Sequence, residues 1–304
     1  SAGALIKRMS ALQAAVCPDG LEAIVGADDA KWLTNEARKA KERVERYDGA
    51  DGAAALFDEE DASDGDGGVC EGGDGWPEWL DLFFVADAVQ WPPAPYLKYH
   101  SSIGAIGHGD VVWAAGEELA RRILAHEAPF EAVGMGTRVL ELGAGCGLPS
   151  LAAAHGGADV VATDAPVAGG IIALAATARR MGPTFDGRLR VRRLDWGDPA
   201  REGPFDVVLM ADIIYAPTAH GKLLATLSGV FEANPKAVAV VAFCLHGNAP
   251  DDKVMAFFDR ARERGLTATE VDVVQRGASE SMRGVIMATD PKRARVHTWV
   301  LRVS

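Results

Sequence analysis

The stretch RVLELGAGCGLPSL, Arg138 to Leu151, leaves the chain few ways to fold. An apolar run from Val139 to Leu142 enters Gly143, Gly145 and Gly147, and an apolar, Ala-rich segment follows. A buried strand, a tight turn and the start of a helix fit that order. Glycines in the turn permit positive φ and let a ligand approach bare backbone. The helix start behind them presents unpaired N–H groups, which suit a carboxylate or a phosphate. Taken alone, the loop is equally compatible with a plain tight turn.

Spacing narrows the ligand. G-x-G-x-G is neither the G-x-G-x-x-G dinucleotide fingerprint nor a Walker loop, which needs Lys-Ser/Thr. Downstream, Asp159 to Thr163 (DVVAT) predicts a second strand ending on Asp164. A carboxylate at that place holds ribose hydroxyls in nucleotide-binding α/β units. A nucleoside with a charged tail and no pyrophosphate fits best, and S-adenosylmethionine is the common example.

Charge and cysteines exclude several classes. The net charge of −12 is local, because ten of the 43 acids fall within residues 48–75, which contain no Lys or Arg. The remaining 33 acids face 31 bases, so the folded part is nearly neutral and no basic patch points to nucleic acid. Cys17, Cys70, Cys146 and Cys244 form no C-x-x-C pair, and a reduced, cytoplasmic setting is expected. The longest apolar run, Ala237 to Leu245, is about half of what spans a bilayer. No metal spacing links the seven histidines, so no metal is expected. A monomer without nucleic-acid or membrane partners is the expectation.

Three segments are expected: a helical extension over 1–47, an acidic Gly/Asp-rich linker over 48–75, and one domain over 76–304. Helical spacing marks 4–17 and 31–46. The linker has too few large apolar side chains to offset the entropy of ordering. From Trp76 to Tyr99 the chain is aromatic and Pro-rich, which reads as an extended segment pinned across the domain. An amphipathic helix follows from about Val112 to Leu124, with Trp113 at its first turn. Further strands are expected at 189–194, 205–211, 237–245, 267–274 and 295–303, with helices near 168–181, 219–231 and 252–264. Strands alternating with helices predict a mostly parallel sheet covered on both faces. The last two strands, with no helix between them, predict an antiparallel hairpin.

Ligands in such sheets sit beyond the carboxyl ends of the strands, at the topological switch. The notable residues fall there: the glycine loop, Asp164, Asp195-Trp196, and Asp212 to Tyr215 (DIIY). Trp196 offers a flat apolar face, and an indole near a sulfonium gains from cation–π attraction. Asp195 can bond an exocyclic amine or cap the following turn. Glu141 lies inside the first strand, where an unpaired carboxylate is costly; it either anchors the loop or meets a ligand amine. His246 follows the fifth strand and can position substrate or take a proton. His220 reads as a helix-start residue.

These segments together resemble the seven-β-strand methyltransferases that use S-adenosylmethionine, and within them the eukaryotic lysine methyltransferase branch once grouped with nicotinamide N-methyltransferase. The motifs VVWAAGEELA, VLELGAGCGLPSL, VVATDAP, LDWGD, FDVVLMADIIY and FFDRARERG carry the resemblance. It runs from about Pro92 to the end of the chain. It implies a Rossmann-like seven-stranded α/β sheet. It also implies a cofactor site of Gly143, Ala144, Gly145 and Gly147 at the methionine end, with Glu141 beside them. Asp164 would take the ribose, Asp195 and Trp196 the adenine, and Trp113 and the Ala211 backbone would complete the pocket. Asp212 and Tyr215 match the Asp-x-x-Tyr element of lysine-modifying members, which implies that Asp212 orients an ammonium and Tyr215 lines its channel.

The lead-in PPAPYLKYH and the helix start VVWAAGE resemble the subgroup acting on translation elongation factor 1-alpha, which implies that protein as substrate. Two other readings stay open from the residues: a small-molecule N-methyltransferase of the nicotinamide type, and a non-catalytic scaffold that keeps the fold.

Overall fold

The computed structural model describes residues 24–32, 35, 89–100, 111–165, 168–185, 188–247, 249–276 and 295–304. The helix expected at 4–17, the acidic stretch 48–75 and both expected segment boundaries lie outside the described residues. Of the helix expected at 31–46, residues 31, 32 and 35 are described, and all three are helical.

A two-stranded antiparallel hairpin, β1 (Val89–Trp91) and β2 (Ala94–Tyr99), comes first. Pro92-Pro93 forms its turn, where proline's fixed φ and missing donor cost no ladder bond. The main sheet then begins. Its parallel strands are β3 (Arg138–Leu142), β4 (Asp159–Asp164), β5 (Leu189–Arg193), β6 (Val207–Ala211) and β7 (Val238–Phe243). An antiparallel pair, β8 (Leu266–Gln275) and β9 (Arg295–Val303), completes it, with β9 inserted beside β7. The strand order is β5-β4-β3-β6-β7-β9-β8. After β3 the chain builds outward through β4 and β5, then crosses back to lay β6 on the other side. The switch between β3 and β6 opens a crevice at the strands' carboxyl ends.

Period-two alternation sorts the strand side chains onto two faces, both apolar. Val139, Val160, Leu209 and Val240 face α1 (Ala114–Leu124), α2 (Leu148–His155) and α3 (Ala168–Phe185). Leu140, Val161, Val208 and Val241 face α4 (His220–Ala233) and α5 (Asp251–Arg262). Every one of these strand residues is at most 1% exposed. Each contributes about 1.5–3 kcal/mol through burial, so the central strands fix the fold and their ends are rigid platforms.

An ionic cluster fixes one edge of the sheet, and an upstream segment packs on the other. Glu118 on α1 has a fully buried carboxylate that accepts from Arg122 Nε (2.7 Å), Arg121 Nη2 (3.0 Å) and Arg276 Nε (2.7 Å). Arg122 Nη2 also donates to Asp272 Oδ2 on β8 at 2.6 Å. Burial raises the Glu118 pKa, but the bonds from Arg121 and Arg122 and the charge of Arg276 outweigh it, and the group stays below the ordinary carboxylate range. A carboxylate this deep is tolerated because guanidinium groups satisfy it, and it ties α1 to the far end of the sheet. At the opposite edge, residues 24–32 lie against β5, with Val25 and Ala30 fully buried.

Candidate active site

A cavity of about 500 Å³ opens over the switch point. Its size suits a nucleoside-sized ligand. The glycine loop leaves β3 with φ of +64° at Gly143, +52° at Gly145 and +71° at Gly147. Conformation is only half of the requirement. A Cβ at Gly143 would stand 2.7 Å from Ile213 Cγ2 and 3.3 Å from Trp196 Cζ2, and one at Gly147 would stand 2.5 Å from Leu174 Cδ1. Those positions take glycine because neighbouring side chains already occupy the space. Ala144, between them, donates its N–H to Thr163 O at 2.9 Å and lines the cavity.

Two carboxylates frame the loop. Asp164, ending β4, accepts from Gly145 N through Oδ2 (2.6 Å) and from Ala165 N through Oδ1 (2.7 Å). Burial nonetheless holds its pKa above the ordinary value, against those two bonds. Glu141 is 1% exposed. Its Oε2 accepts from Ser150 N (3.0 Å) and Ser150 Oγ (2.5 Å) at the start of α2. Its Oε1 is buried with no partner among the described residues, and burial pushes its pKa up to about 8. One oxygen of Glu141 thus anchors the start of α2.

The wall after β5 is formed by Leu194, Asp195 and Trp196. The indole of Trp196 is half-buried beside Gly143. The turn after it closes through backbone, with Asp198 N donating to Asp195 O at 3.0 Å. Trp196 and Asp164 therefore border one cavity.

The other side is built by β6, β7 and α1. Ala211 ends β6, and Asp212 follows with φ of +54°, a left-handed backbone that costs a non-glycine residue about 1–2 kcal/mol. Its carboxylate is 7% exposed. Oδ1 accepts from Cys244 N (2.8 Å) and from His246 Nε2 (2.9 Å), while Oδ2 is buried without a partner among the described residues. With Asp212 Oδ1 as acceptor, His246 donates through Nε2. Trp113, the residue preceding α1, meets the His246 ring edge-on at 4.8 Å. Tyr215 lines the same cavity, its hydroxyl pKa raised by burial and by the Asp164 charge.

Every residue expected from the sequence at this site lies on this one cavity. Four features are not read from the sequence: the Asp212–His246 bond, the Cys244 N–H beneath it, Lys222 on α4, and the anchoring role of His220. Buried His220 hydrogen-bonds Ile214 O through Nε2 at 2.8 Å, and burial holds its pKa low. It fixes the DIIY loop from behind. Asp212, Cys244 and His246 have ligand atoms within 4.8 Å of one another. Burial, then the Asp212 charge, raises the Cys244 thiol pKa.

Residues 93–263 match the family model described as lysine methyltransferase. Over 207 residues the chain is 31% identical to the protein N-terminal and lysine N-methyltransferase efm7 of Schizosaccharomyces pombe, covering 63% of this chain and 76% of that one. It is 36% identical to the EEF1A lysine methyltransferase 3 of Mus musculus over 118 residues, 38% of this chain and 48% of that one. Among solved structures, TYW2 of P. horikoshii in complex with MeSAdo is similar at 18% identity, covering 68% of this chain and 69% of that one with a TM-score of 0.46. With more than half of its length matched by that model, the chain belongs to the lysine methyltransferase family.

Proposed function

We propose that this protein transfers the methyl group of S-adenosylmethionine to an amine of a protein substrate, either a lysine or an amino terminus. The observation that carries the reading is one cavity bordered by both the glycine loop with its carboxylates and the Asp212–His246 pair. The residues suit the cofactor. Glu141 Oε1 is a buried acceptor without a partner among the described residues. An ammonium group beside it would favour the ionised carboxylate against the burial that raises its pKa, while the crowded glycine loop leaves its backbone bare. When bound, S-adenosylmethionine supplies an electrophilic methyl carbon on a sulfonium.

In this proposal Gly143, Ala144, Gly145, Gly147 and Glu141 hold the methionine end. Asp164, already aligned by two backbone N–H groups, takes the ribose hydroxyls. Trp196 packs on adenine with Asp195 at its edge, and Trp113 and the Ala211 backbone close the pocket. The amine nitrogen forms the new N–C bond as the C–S bond breaks and its electron pair returns to sulfur. The nucleophile must arrive neutral, against an ordinary lysine pKa of about 10.4. Asp212 Oδ2 attracts the ammonium into a buried channel beside Tyr215, where desolvation lowers that pKa. Alignment supplies most of the acceleration in such a displacement, and in this reading His246 takes up the released proton.

Translation elongation factor 1-alpha is the substrate proposed. Support comes from the lead-in motif and from the printed names of the relatives, which speak of N-terminal, lysine and EEF1A methylation. A cytoplasmic setting accords with Cys146 and Cys244, buried thiols outside any disulfide among the described residues. Among the described residues, no helix is long and apolar enough to cross a membrane. Radiolabelled methyl from S-adenosylmethionine is expected to appear in purified elongation factor 1-alpha and not in nicotinamide. Absence of S-adenosylhomocysteine binding by titration calorimetry would overturn the enzymatic reading. Binding with labelling only of small amines would replace the protein substrate.

A further inference from the structure

The family match begins at residue 93, yet a segment far upstream of it is built into the support of the cofactor wall. β5 is the edge of the sheet, and an edge strand presents unpaired backbone groups to the outside. The inward group is accounted for: Leu194 N, just past the strand, donates to Asp164 O at 2.8 Å. Asp29 meets the outward one. Its Oδ2 accepts from Arg193 N at 2.7 Å, and its Oδ1 accepts from Arg193 Nε at 2.6 Å. One carboxylate, only 12% exposed, thus closes both the backbone and the side chain of the last β5 residue.

Neighbouring contacts repeat the theme. Arg192 Nη1 donates to Ile24 O at 2.8 Å. The Arg193 guanidinium also lies 4.4 Å from the ring centre of Trp32. Between residues 25–29 and the sheet edge lies a second cavity of about 730 Å³, and Leu194 and Asp195 border both it and the active-site cavity. The purine-side wall therefore has the cofactor cavity on one side and a gap spanned by the 24–32 segment on the other. Arg193, where Asp29 grips, is one residue from Leu194 and three from Trp196. The far end of the wall is tied to α4, where Gly197 N donates to Thr226 Oγ1 at 2.9 Å and Thr226 Oγ1 to Asp198 O at 3.0 Å. The near end, at Arg193, is the one that Asp29 holds.

We infer that Asp29, with the segment that carries it, is a positioning element for the nucleoside end of the cofactor: by clamping Arg193 it fixes the Leu194–Trp196 wall and so sets affinity for the adenosyl group. This rests on the methyl-transfer reading. Coupling of this kind is reciprocal, so a bound adenosyl ligand must in turn hold residues 24–32 against β5.

The test uses the full chain, S-adenosylhomocysteine as the calorimetric probe, and labelled S-adenosylmethionine for kinetics. Asp29→Ala is expected to raise the Kd for S-adenosylhomocysteine and the KM for S-adenosylmethionine by about fivefold. The kcat and the KM for the protein substrate should stay within about twofold, a split that general loss of structure would not produce. Asp29→Asn, which keeps an acceptor for Arg193 N–H, should fall between the two. In the wild-type chain, S-adenosylhomocysteine should slow hydrogen exchange in the peptide spanning 24–32. Unchanged cofactor affinity in Asp29→Ala overturns the inference, as does a parallel fall in kcat and both affinities. If the variant does not fold, the wild-type exchange experiment decides, and unaltered exchange overturns the inference. Wild-type protein that binds no S-adenosylhomocysteine overturns the methyl-transfer reading itself, whereas binding indifferent to residue 29 overturns this inference alone.

Discussion

The two sides of the cavity are built by different means. On the side of β3, β4 and β5, backbone does the holding: glycines at positive φ, and carboxylates caught by the N–H groups of Gly145, Ala165 and Ser150. On the side of β6 and β7, side chains hold one another, with Asp212 gripping His246 and His246 against Trp113. Backbone geometry tolerates little change in the ligand it fits, which suits a cofactor that is always the same. Side-chain networks can be rebuilt one residue at a time, which suits a substrate-facing surface. The contrast extends to strain: the left-handed backbone falls on glycine in one half and on Asp212 in the other.

The largest test lies in the backbone-held half. Glu141 carries more protons when folded than when unfolded between its ordinary 4.5 and its raised value of about 8. The contribution of Glu141 to stability without ligand should therefore be fullest below 4.5 and decline as pH rises toward 8, by an amount on the order of 5 kcal/mol. Denaturant melts from pH 5 to 9 should show that slope in the wild type and its flattening in Glu141→Gln. A variant as steep as the wild type would remove Glu141 from the account.

Next in size is Asp212→Ala, expected to lower kcat about 100-fold while leaving the Kd for S-adenosylhomocysteine within about threefold. Loss of both would erase the division between halves. Asp212→Gly should be more stable than Asp212→Ala by about 1 kcal/mol, because glycine accepts φ of +54° without a Cβ penalty. Gly143→Ala should show the mirror phenotype. With Ile213 Cγ2 only 2.7 Å from the added methyl, it should cost about 2 kcal/mol of stability and weaken cofactor binding about tenfold. The smallest effect is expected from His246→Ala, about fivefold in kcat, with cofactor KM unchanged and partial rescue by Gln. Steady-state kinetics separates these outcomes.

Much of this was legible in the sequence, for identifiable reasons. Strands β4, β6 and β7 are mostly apolar runs between turn residues, and β3 interrupts such a run only at Glu141. Strand β5 shows alternation, with Leu189 and Val191 buried between arginines. The expected bounds fall within three residues of those observed. The hairpin β1–β2 was not read, because Pro92-Pro93 looks the same in an extended segment as in a turn. The site residues were legible because each ends a parallel strand, and topology gathers strand ends. The Asp212–His246 bond was not, since it joins positions 34 residues apart through the neighbouring strands β6 and β7. Neither was the grip of Asp29 on Arg193, 164 residues away, because a lone aspartate carries no periodicity. His220 was read as a helix-start residue, and its anchoring of Ile214 shows only in three dimensions.

Because the chain completes one flank before crossing to the other, one half of the cavity is the block 138–196, and the other is the block 207–246 joined by Trp113 from ahead of α1. They meet where Gly143 faces Ile213, at the distance of one missing methyl. A modular inheritance follows: exchanging the second block with that of a relative should carry target preference across while the first keeps its donor, provided residue 213 travels with a glycine opposite it. Recombination between such enzymes is then constrained at that seam and at the Trp113–His246 contact.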